Sequence, residues 1–324
     1  MTIPGVILIA FNPRAGAADR RDLLNSLQIR LEDMGFDVQM VGELTDLEVL
    51  AAEYRENGRL RMVVSAGGDG TLAAVAQRTH PDTCLAVFPL GTENLMAKWS
   101  GATIDLDKFS AAVKANRTRS IDAAMANGRL ALITIGIGFD AEVVRLVHTN
   151  RTGHITKWSY AWPILRTIWN YGFPQFRVTM ADWQDVVTGQ ANSLPKEFEV
   201  ADIANETRSW SAPWVFVANL PLYAGGLSII PHAKPSDGLL DIACFTGSGR
   251  IRGLLYALWI ALRRHTRCCD YSAFRAKKIT IDSPAPSGYQ LDGDYGGELP
   301  LEIRIQPDRI KLLSFNRQDV SLND

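Results

Sequence analysis

The chain up to Arg119 alternates short apolar runs with longer amphipathic stretches. A short apolar run between turn signals predicts a strand that is buried on both faces. Apolar side chains spaced at i, i+3 and i+4 predict helices between these strands. The β-α-β-α order predicts a parallel sheet with helices on both faces. Strands are predicted at 6–11, 36–41, 62–66 and 85–88, and helices at 19–34, 47–57, from residue 72, and at 95–99.

Beyond Arg119, apolar runs follow one another, mostly without a helical stretch between them. That order predicts a mainly antiparallel β domain, such as a sandwich. Two helical stretches interrupt it, at 155–171 and 250–264, and the first is rich in tryptophan. The polar segment 182–208 predicts an extended hairpin or a partly mobile loop. Strands are predicted at 130–137, 176–180, 186–188, 214–219, 239–245, 278–282 and 301–305.

Composition narrows the class of protein without identifying it. A chain of 324 residues, 47% hydrophobic and 21% charged, is long enough for two domains with a sizeable core. The net charge of −1 argues against an extended basic surface for nucleic acid. Four cysteines without a zinc or Cys-x-x-Cys spacing predict no disulfide framework and fit a reducing cytoplasm. Residues 1–10 predict a first strand rather than a signal peptide, and no apolar run is long enough to span a bilayer.

The strongest chemical signal is Gly67-Gly68-Asp69-Gly70-Thr71, between a predicted strand and a predicted helix. A strand that ends in glycines and continues as a helix directs backbone N–H groups toward the helix N-terminus, where anions and especially phosphate are favoured. Glycines let a phosphate approach the backbone and permit positive φ. The Asp69 carboxylate would repel phosphate unless it binds a divalent cation or a sugar hydroxyl, or orients the loop. The alternative is a glycine-rich turn without a ligand.

Two other polar loops follow predicted strands of the same sheet. Residues 12–16 follow the first strand, and residues 91–94 follow the fourth. The carboxyl ends of parallel strands share one edge, and open α/β sheets bind ligands at that edge. The sequence therefore predicts a ligand site built from three loops.

These stretches together resemble the diacylglycerol kinase catalytic superfamily, which includes sphingosine kinases and, more distantly, NAD kinases. The resemblance rests on motifs that occur in the family's order over nearly the whole chain. Within the superfamily, the chain is most similar to soluble bacterial diacylglycerol and lipid kinases. Residues 67–71 match the signature loop. The other matching stretches are Asn12-Pro13 with Ala15-Gly16, 89–94, Ile121-Asp122, 136–141, 231–234, 237–241 and 291–294.

The resemblance implies an α/β nucleotide-binding domain over residues 1–122, a β-sandwich lipid-substrate domain over 123–305, and a return of 306–324 to the first domain. It implies phosphorylation of a lipid hydroxyl that depends on ATP and Mg²⁺, in a cleft between the domains. The acceptor is left open among diacylglycerol, a sphingoid base, phosphatidylglycerol and other lipids. The rival predictions are an NAD kinase and a catalytically weakened regulator that binds nucleotide or lipid.

The resemblance also implies roles for single residues. Phosphoryl transfer needs charge neutralisation and a base for the attacking hydroxyl. Asp69 would join the Mg²⁺ and water network, and Asp292 would be the general base. Asp294 stands where the family has Glu, and it would contact the metal directly or through water. The predicted nucleotide-binding residues are Asn12, Gly67, Gly68, Asp69, Gly70, Thr71, Thr92, Glu93 and Asn94.

Several of these predictions have a structural alternative. The stretch Asp292-Gly293-Asp294 is also a strong hairpin signal. Asp237 would bind a structural Mg²⁺, or it would only form a turn with Gly238. Leu95 stands where the family has Asp, which removes one expected carboxylate near the metal and keeps the regulator alternative open. Asp122 and Asp140 are predicted to hold loops or the domain junction rather than to take part in the chemistry.

A lipid acceptor requires an apolar cleft or a surface that touches a membrane. Stretches 158–169 and 251–262 combine aromatic or aliphatic residues with flanking arginines, which suits interfacial helices, although both could instead be core. The sequence predicts a cytoplasmic protein that is peripheral at the inner membrane surface. Its predicted partner is a lipid substrate and not a nucleic acid, and homodimerisation is left open.

Overall fold

The computed structural model describes residues 5–12, 18–149, 161–186, 199–202 and 207–315. The chain divides into two compact units, Met1–Ile121 with Asp308–Asp324, and Asp122–Pro307. Some predictions lie outside the described residues. They concern the loop at 13–16, the start of the tryptophan-rich stretch at 155–160, part of the strand predicted at 186–188, and the last residues, 316–324.

The first unit is an α/β layer with parallel strands. Its strands are β1 (Val6–Phe11), β2 (Asp37–Val41), β3 (Leu60–Gly67) and β4 (Cys84–Pro89), and its helices are α1 (Ala18–Asp33), α2 (Leu44–Glu56), α3 (Asp69–Arg78), α4 (Leu95–Ser100) and α5 (Leu106–Ala115). The sheet order β2-β1-β3-β4 is parallel throughout. Alternate residues Ile7 and Ile9 of β1 share a core with Leu27 of α1 and Phe109 of α5. Helices α2 and α3 contact each other and pack on β1 and β3.

The last described strand, β16 (Leu301–Leu313), contributes to both units. Its end lies beside β4 in parallel register, with Lys311 opposite Cys84. The Arg309 guanidinium donates to the carbonyl oxygens of Ala76 and Thr79 at the end of α3. Because a cation at a helix C-terminus satisfies carbonyls that have no partner within the helix, this contact fixes the returning chain against the first unit.

The second unit is mainly antiparallel β structure. Its strands are β5 (Thr118–Ala126, which starts in the first unit), β6 (Arg129–Ala131), β7 (Thr134–Gly138), β8 (Phe176–Asp185), β9 (Glu199–Asp202), β10 (Thr207–Ala212), β11 (Trp214–Ala218), β12 (Leu240–Phe245), β13 (Tyr271–Asp282), β14 (Gly288–Leu291) and β15 (Asp294–Glu298), and its helices are α6 (Phe139–Thr149), α7 (Ala161–Asn170) and α8 (Arg250–Ala261). The order β15-β14-β7-β11-β12-β13 is antiparallel, and β13 also pairs with β8 and β16.

Alternate residues of β11 enter two different cores. Val215 and Val217 pack with the β8 and β13 side chains, whereas Trp214 and Phe216 pack with residues of α6, α7 and α8. A strand buried on both faces has no polar alternation. For this reason β11 is a continuous apolar run in the sequence. The predicted fold class, an α/β domain followed by a mainly antiparallel β domain, is confirmed.

Several element predictions were wrong or incomplete, and strands β5, β14 and β15 were not predicted. The strand predicted at 130–137 is two strands, β6 and β7, because the chain turns aside at Leu132 and Ile133. Helix α3 begins at Asp69 and not at residue 72. Helices α5 and α6 were not predicted, so the second unit has three helices among its described residues rather than two. The described parts of 182–208 extend β8, form β9 and begin β10.

Candidate functional site

The glycine loop of the first unit lies between β3 and α3. Gly68 occupies the N-cap position of α3 with extended backbone angles, φ −95° and ψ −171°. Having no side chain, it cannot cap the N–H groups of the first helical turn. The partial positive charge of these N–H groups favours an anion at this end of the helix.

The glycine loop touches the loop after β4 through the backbone. A Cβ atom on Gly91 would lie 2.4 Å from the Cα of Gly68, and a Cβ on Gly67 would lie 2.3 Å from the Thr71 hydroxyl oxygen. The Leu90 N–H donates to the Gly67 carbonyl oxygen at 3.0 Å. The close approach of other atoms therefore explains why Gly67 and Gly91 carry no side chain, and neither position requires a positive φ.

Asp69 joins the same two loops through its side chain. Its two carboxylate oxygens accept from the backbone N–H groups of Leu95, at 2.8 Å, and Met96, at 2.9 Å. These are first-turn donors of α4, so Asp69 caps that helix from a neighbouring loop. Burial raises the pKa of the Asp69 carboxyl, and the two backbone donors oppose that rise. Among the roles considered for Asp69, this geometry supports the one in which the side chain orients the loop. The role of Asp69 at a metal ion stays a prediction.

The neighbouring loop is ordered largely by its own side chains. Asn94 has φ 49°, its side-chain oxygen accepts from the Gly91 N–H at 3.0 Å, and its amide donates to the Gly91 carbonyl at 2.8 Å. Glu93 forms an ion pair with Lys98 at 3.2 Å. Thr92 is exposed. Leu95 is buried, and its backbone rather than its side chain contacts Asp69.

Asn12 lies exposed at the end of β1. The loops that follow β1, β3 and β4 start at the same edge of this parallel sheet. The first unit therefore presents the three predicted nucleotide-binding loops at one sheet edge, although residues 13–16 of the first loop are outside the described part.

Asp292 lies in a two-residue hairpin turn in the second unit. Leu291 pairs with Asp294, and the turn residues Asp292 and Gly293 have φ 52° and 93°. Positive φ at both turn positions is what a tight hairpin between twisted strands requires, and Asp-Gly suits it well. The hairpin prediction is therefore confirmed, and Asp294, exposed at the start of β15, is part of the same turn.

The carboxylate of Asp292 is held by the chain between β6 and β7. One oxygen accepts from the Leu132 N–H at 2.7 Å, and the other accepts from Ile133 at 2.8 Å and Thr134 at 3.0 Å. These donors leave the β ladder to reach the carboxylate, which is why the predicted strand is interrupted here. Backbone donors bonded to a carboxylate fix its position and orientation. Sequence reasoning identified Asp292 but not these partners, which are about 160 residues distant.

A buried polar cluster supports the turn from within. Asp140 accepts from the Tyr223 hydroxyl through one oxygen and from the Gln290 amide, at 2.9 Å, through the other. The Gln290 side-chain oxygen in turn accepts from the Gly293 N–H at 2.7 Å. Gly136 leaves room for this carboxylate, since a Cβ there would lie 1.7 Å from its oxygen. Asp140 thus holds a loop, and Gln290 and Tyr223 are site residues that the sequence analysis missed.

Replacing Asp140 with Asn is expected to stabilise the fold at neutral and alkaline pH. Burial raises the pKa of the Asp140 carboxyl, although the Tyr223 and Gln290 hydrogen bonds act in the other direction. A raised native pKa gives stability that is complete below the pKa of the unfolded chain and is lost as pH rises through the native pKa. Asn has nearly the same shape and does not titrate. Its oxygen can accept from the Gln290 amide while its NH₂ group donates to the Tyr223 hydroxyl oxygen, so both contacts are kept.

The measurement is the melting temperature of both proteins between about pH 4 and about pH 8. Asp140→Asn should melt a few degrees higher at the alkaline end, and the gap should close on acidification. Asp282→Asn, at an exposed carboxylate, is the control and should show no such trend. A variant that is less stable by a constant amount at every pH would contradict the prediction.

Asp237 is near a guanidinium group. Arg275 approaches Asp237 at 3.8 Å and Asp241 at 3.0 Å, and it also donates to the His232 carbonyl at 3.4 Å. Asp241 is fully buried, and burial raises its pKa to about 6. The cation that balances these carboxylates in the described structure is therefore an arginine. Nearby, Asp122 accepts from the Gly238 N–H at 2.8 Å and so holds this loop, as predicted.

Across the described residues, no three His, Cys, Asp or Glu side chains are grouped as metal ligands. Asp69 and Asp237 have the partners given above, and Asp294 is exposed. The first unit thus supplies a helix N-terminus and ordered loops, and the second supplies an oriented carboxylate on a hairpin turn. The metal roles predicted for Asp69, Asp237 and Asp294 stay predictions.

Comparison with known proteins finds similarity along most of the chain. Residues 6–126 match the family described as the diacylglycerol kinase catalytic domain. Residues 133–314 match the YegS C-terminal NAD kinase beta sandwich-like domain. A diacylglycerol kinase of Mycobacterium tuberculosis is 26% identical over 318 residues, which cover 95% of each chain. A probable lipid kinase YegS-like of Citrobacter koseri is 24% identical over 317 residues, 96% of each chain.

A solved structure has the same fold. The crystal structure of a diacylglycerol kinase from Bacillus anthracis (strain Sterne) aligns with a TM-score of 0.62 and 18% identity. The alignment covers 97% of this chain and 98% of that one. The matched fold includes both the α/β and the β-rich parts.

Proposed function

The chain belongs to the diacylglycerol kinase family of lipid kinases, and from this premise we propose that it transfers the γ-phosphate of ATP to the hydroxyl group of a diacylglycerol-like lipid. The proposal assigns phosphate binding to the loops of the first unit and proton abstraction to Asp292 of the second. Each assignment has its own structural support.

One observation carries the proposal: Asp69 is bonded to α4, beside an α3 N-terminus whose N-cap is glycine. A free carboxylate in this loop would repel nucleotide phosphates. Here both of its oxygens accept backbone N–H groups, which reduces that repulsion while it fixes the two loops together. The first-turn N–H groups of α3 can then bind a phosphate that approaches over Gly67 and Gly68.

The assignment of Asp292 as general base rests on orientation. A general base must be held within hydrogen-bond reach of the hydroxyl proton that it removes. Three backbone donors fix this carboxylate, and the bond from Gly293 to Gln290 stiffens the turn behind it. The hydroxyl oxygen would attack the γ-phosphorus as Asp292 takes its proton, and ADP would leave.

Mg²⁺ belongs to the proposal through the nucleotide. Kinases usually hold this ion by one or two carboxylates together with the phosphates, and not in a cage made of protein alone. Bound Mg²⁺ would neutralise phosphate charge, and Asp69 and Asp294 are the carboxylates proposed to contact it directly or through water.

The rival functions are distinguished by one feature each. Leu95 prompted the alternative of a weakened regulator, yet its buried side chain leaves the Asp69 contact intact, because that contact uses the backbone. The exposed apolar residues of α7 and α8 favour a lipid over a polar acceptor such as NAD.

The test is phosphoryl transfer from labelled ATP with Mg²⁺ to a panel of diacylglycerol, sphingosine, phosphatidylglycerol and NAD. Labelled lipid is the expected product, with diacylglycerol the best acceptor. Transfer to NAD alone would overturn the lipid assignment. Nucleotide binding without transfer to any acceptor would favour the regulator.

A further inference from the structure

The second unit exposes an unusual number of large apolar side chains on two adjacent helices. Eight of the twelve exposed large hydrophobic residues in the described part of the chain lie on or directly after α7 and α8. Exposed single hydrophobics are normal, but a contiguous group of this size marks an interaction surface. We call this group the apolar face: Trp162, Leu165, Trp169, Ile251, Leu254, Leu255, Leu258 and Leu262.

Both helices have two apolar sides. In α8, Tyr256 and Ile260 are buried in the second unit, while Ile251, Leu255 and Leu258 follow one another at helical spacing on the outside. A helix that packs only on its own protein has polar residues on its outer side. The outer side of α8 therefore fits an apolar environment that the folded chain does not itself supply.

The apolar face is continuous across the two helices. A groove of about 400 Å³ lies between them, lined by Trp162, Trp169, Ile251 and Leu254 together with arginine side chains. The Arg250 guanidinium lies over the Trp169 ring, 5.4 Å from its centroid. Tryptophan beside arginine is the combination that suits the boundary between lipid chains and headgroups, because one part is apolar and the other remains hydrated.

The charged residues of the two helical segments have a single sign. Segments 161–170 and 250–267 contain no Asp or Glu. Arg252 pairs with Asp270 from outside these segments. The exposed arginines of the two segments are Arg166, Arg250, Arg252, Arg263, Arg264 and Arg267. An apolar surface bordered by cations complements an anionic phospholipid surface, and it opposes a second copy of itself, since two such faces would bring like charges together.

We propose that the apolar face docks this protein on an anionic phospholipid surface, with the side chains of α7 and α8 inserted at the headgroup boundary. Contact would be interfacial, through the exposed side chains of the two helices. No helix among the described residues is long and apolar enough to cross a bilayer. The inference rests on the proposed lipid kinase function, for which it would bring the enzyme to the layer that holds its acceptor.

The test compares binding of the full chain to vesicles of phosphatidylcholine with and without phosphatidylglycerol, measured by co-sedimentation. Wild type should bind the anionic vesicles. A triple variant, Trp162→Ser with Ile251→Ser and Leu258→Ser, should bind them at least tenfold more weakly and keep its circular dichroism spectrum and melting temperature, since all three side chains are exposed.

Two further variants separate apolar contact from charge and from general surface polarity. Arg166→Gln with Arg264→Gln should reduce the preference for anionic over neutral vesicles. The control removes the same number of exposed hydrophobics from the first unit, Ile29→Ser with Val49→Ser and Ile104→Ser, and should bind like wild type. Equal vesicle binding by wild type and the α7/α8 triple variant would overturn the proposal. So would loss of a solution dimer in that variant with vesicle binding unchanged.

Activity on a short-chain diacylglycerol dispersed in solution separates this inference from the proposed function. If both hold, the triple variant phosphorylates the dispersed acceptor like wild type and loses activity only on vesicles. Absence of transfer in every protein, with vesicle binding still dependent on the apolar face, would reject the kinase proposal and keep the docking surface. Full vesicle activity in the triple variant would reject the docking surface alone.

Discussion

Replacing Asp292 with Asn is expected to reduce phosphoryl transfer by about 10²–10⁴-fold, the usual contribution of a positioned general acid or base. Asn has nearly the same shape but cannot take a proton from the lipid hydroxyl. Nucleotide affinity should be unchanged, because the loops proposed to bind phosphate belong to the first unit. The measurement is kcat with labelled ATP and diacylglycerol, together with ATP affinity by calorimetry.

The same substitution also tests the structural role of the carboxylate. The NH₂ group of the Asn side chain cannot accept a hydrogen bond, so at least one of the donors Leu132, Ile133 and Thr134 loses its partner. An unsatisfied buried donor costs about 1–3 kcal/mol, so the melting temperature should fall as well. Activity must therefore be measured well below the melting transition of the variant. Asp282→Asn, which removes an exposed carboxylate, should alter neither quantity. Normal turnover by folded Asp292→Asn would exclude Asp292 as the base.

Substituting Gly91 with Ala should weaken ATP binding at least tenfold. The new Cβ would lie 2.4 Å from the Cα of Gly68 and 2.6 Å from the Asn94 side-chain oxygen. Because the first contact is backbone against backbone, a change of rotamer cannot relieve it, and the loops must separate. That separation would strain the bonds from Leu95 and Met96 to Asp69 and misalign the N–H groups at the start of α3.

Gly172→Ala is the matched control for Gly91→Ala. Apart from its chain neighbours, no atom of the described residues lies within 4 Å of the Cβ position at Gly172, so alanine should be accommodated there without loss of nucleotide affinity. Calorimetric titration with ATP, alongside a melting curve, distinguishes a lost site from a lost fold. Unchanged ATP affinity in Gly91→Ala would show that the contact of these two loops does not shape the nucleotide site.

The order of strands and helices was predictable because each apolar run reflects the burial of a few neighbouring residues. Strands such as β1 and β11 are covered on both faces, so their residues are continuously hydrophobic and stand out in the sequence. Helix α5 had a local signal that was overlooked: Asp105 is its N-cap and accepts from the N–H groups of Asp107 and Lys108. The sequence therefore contained a local signal from which α5 could have been predicted.

Other features had no local signal. The interruption at Leu132 follows from a carboxylate that arrives from Asp292, far along the chain. Gly136 is glycine because the Asp140 carboxylate occupies the space beside it. The function of the apolar residues in α7 and α8 was equally undecided, since a core helix and an interfacial helix share the same composition. The structure shows one side of each helix buried and the other open, and the open side is the one proposed to contact lipid.

By itself, the sequence determined the fold class, the loops at strand ends and the candidate carboxylates, because burial periodicity and turn chemistry act over a few neighbouring residues. Only the tertiary structure decided how those residues are bonded. It turned Asp69 toward α4, fixed Asp292 with the backbone between β6 and β7, and placed Arg275 between Asp237 and Asp241. Hydrogen bonds and ion pairs join groups that are close in space, and distance along the chain does not predict which groups those are.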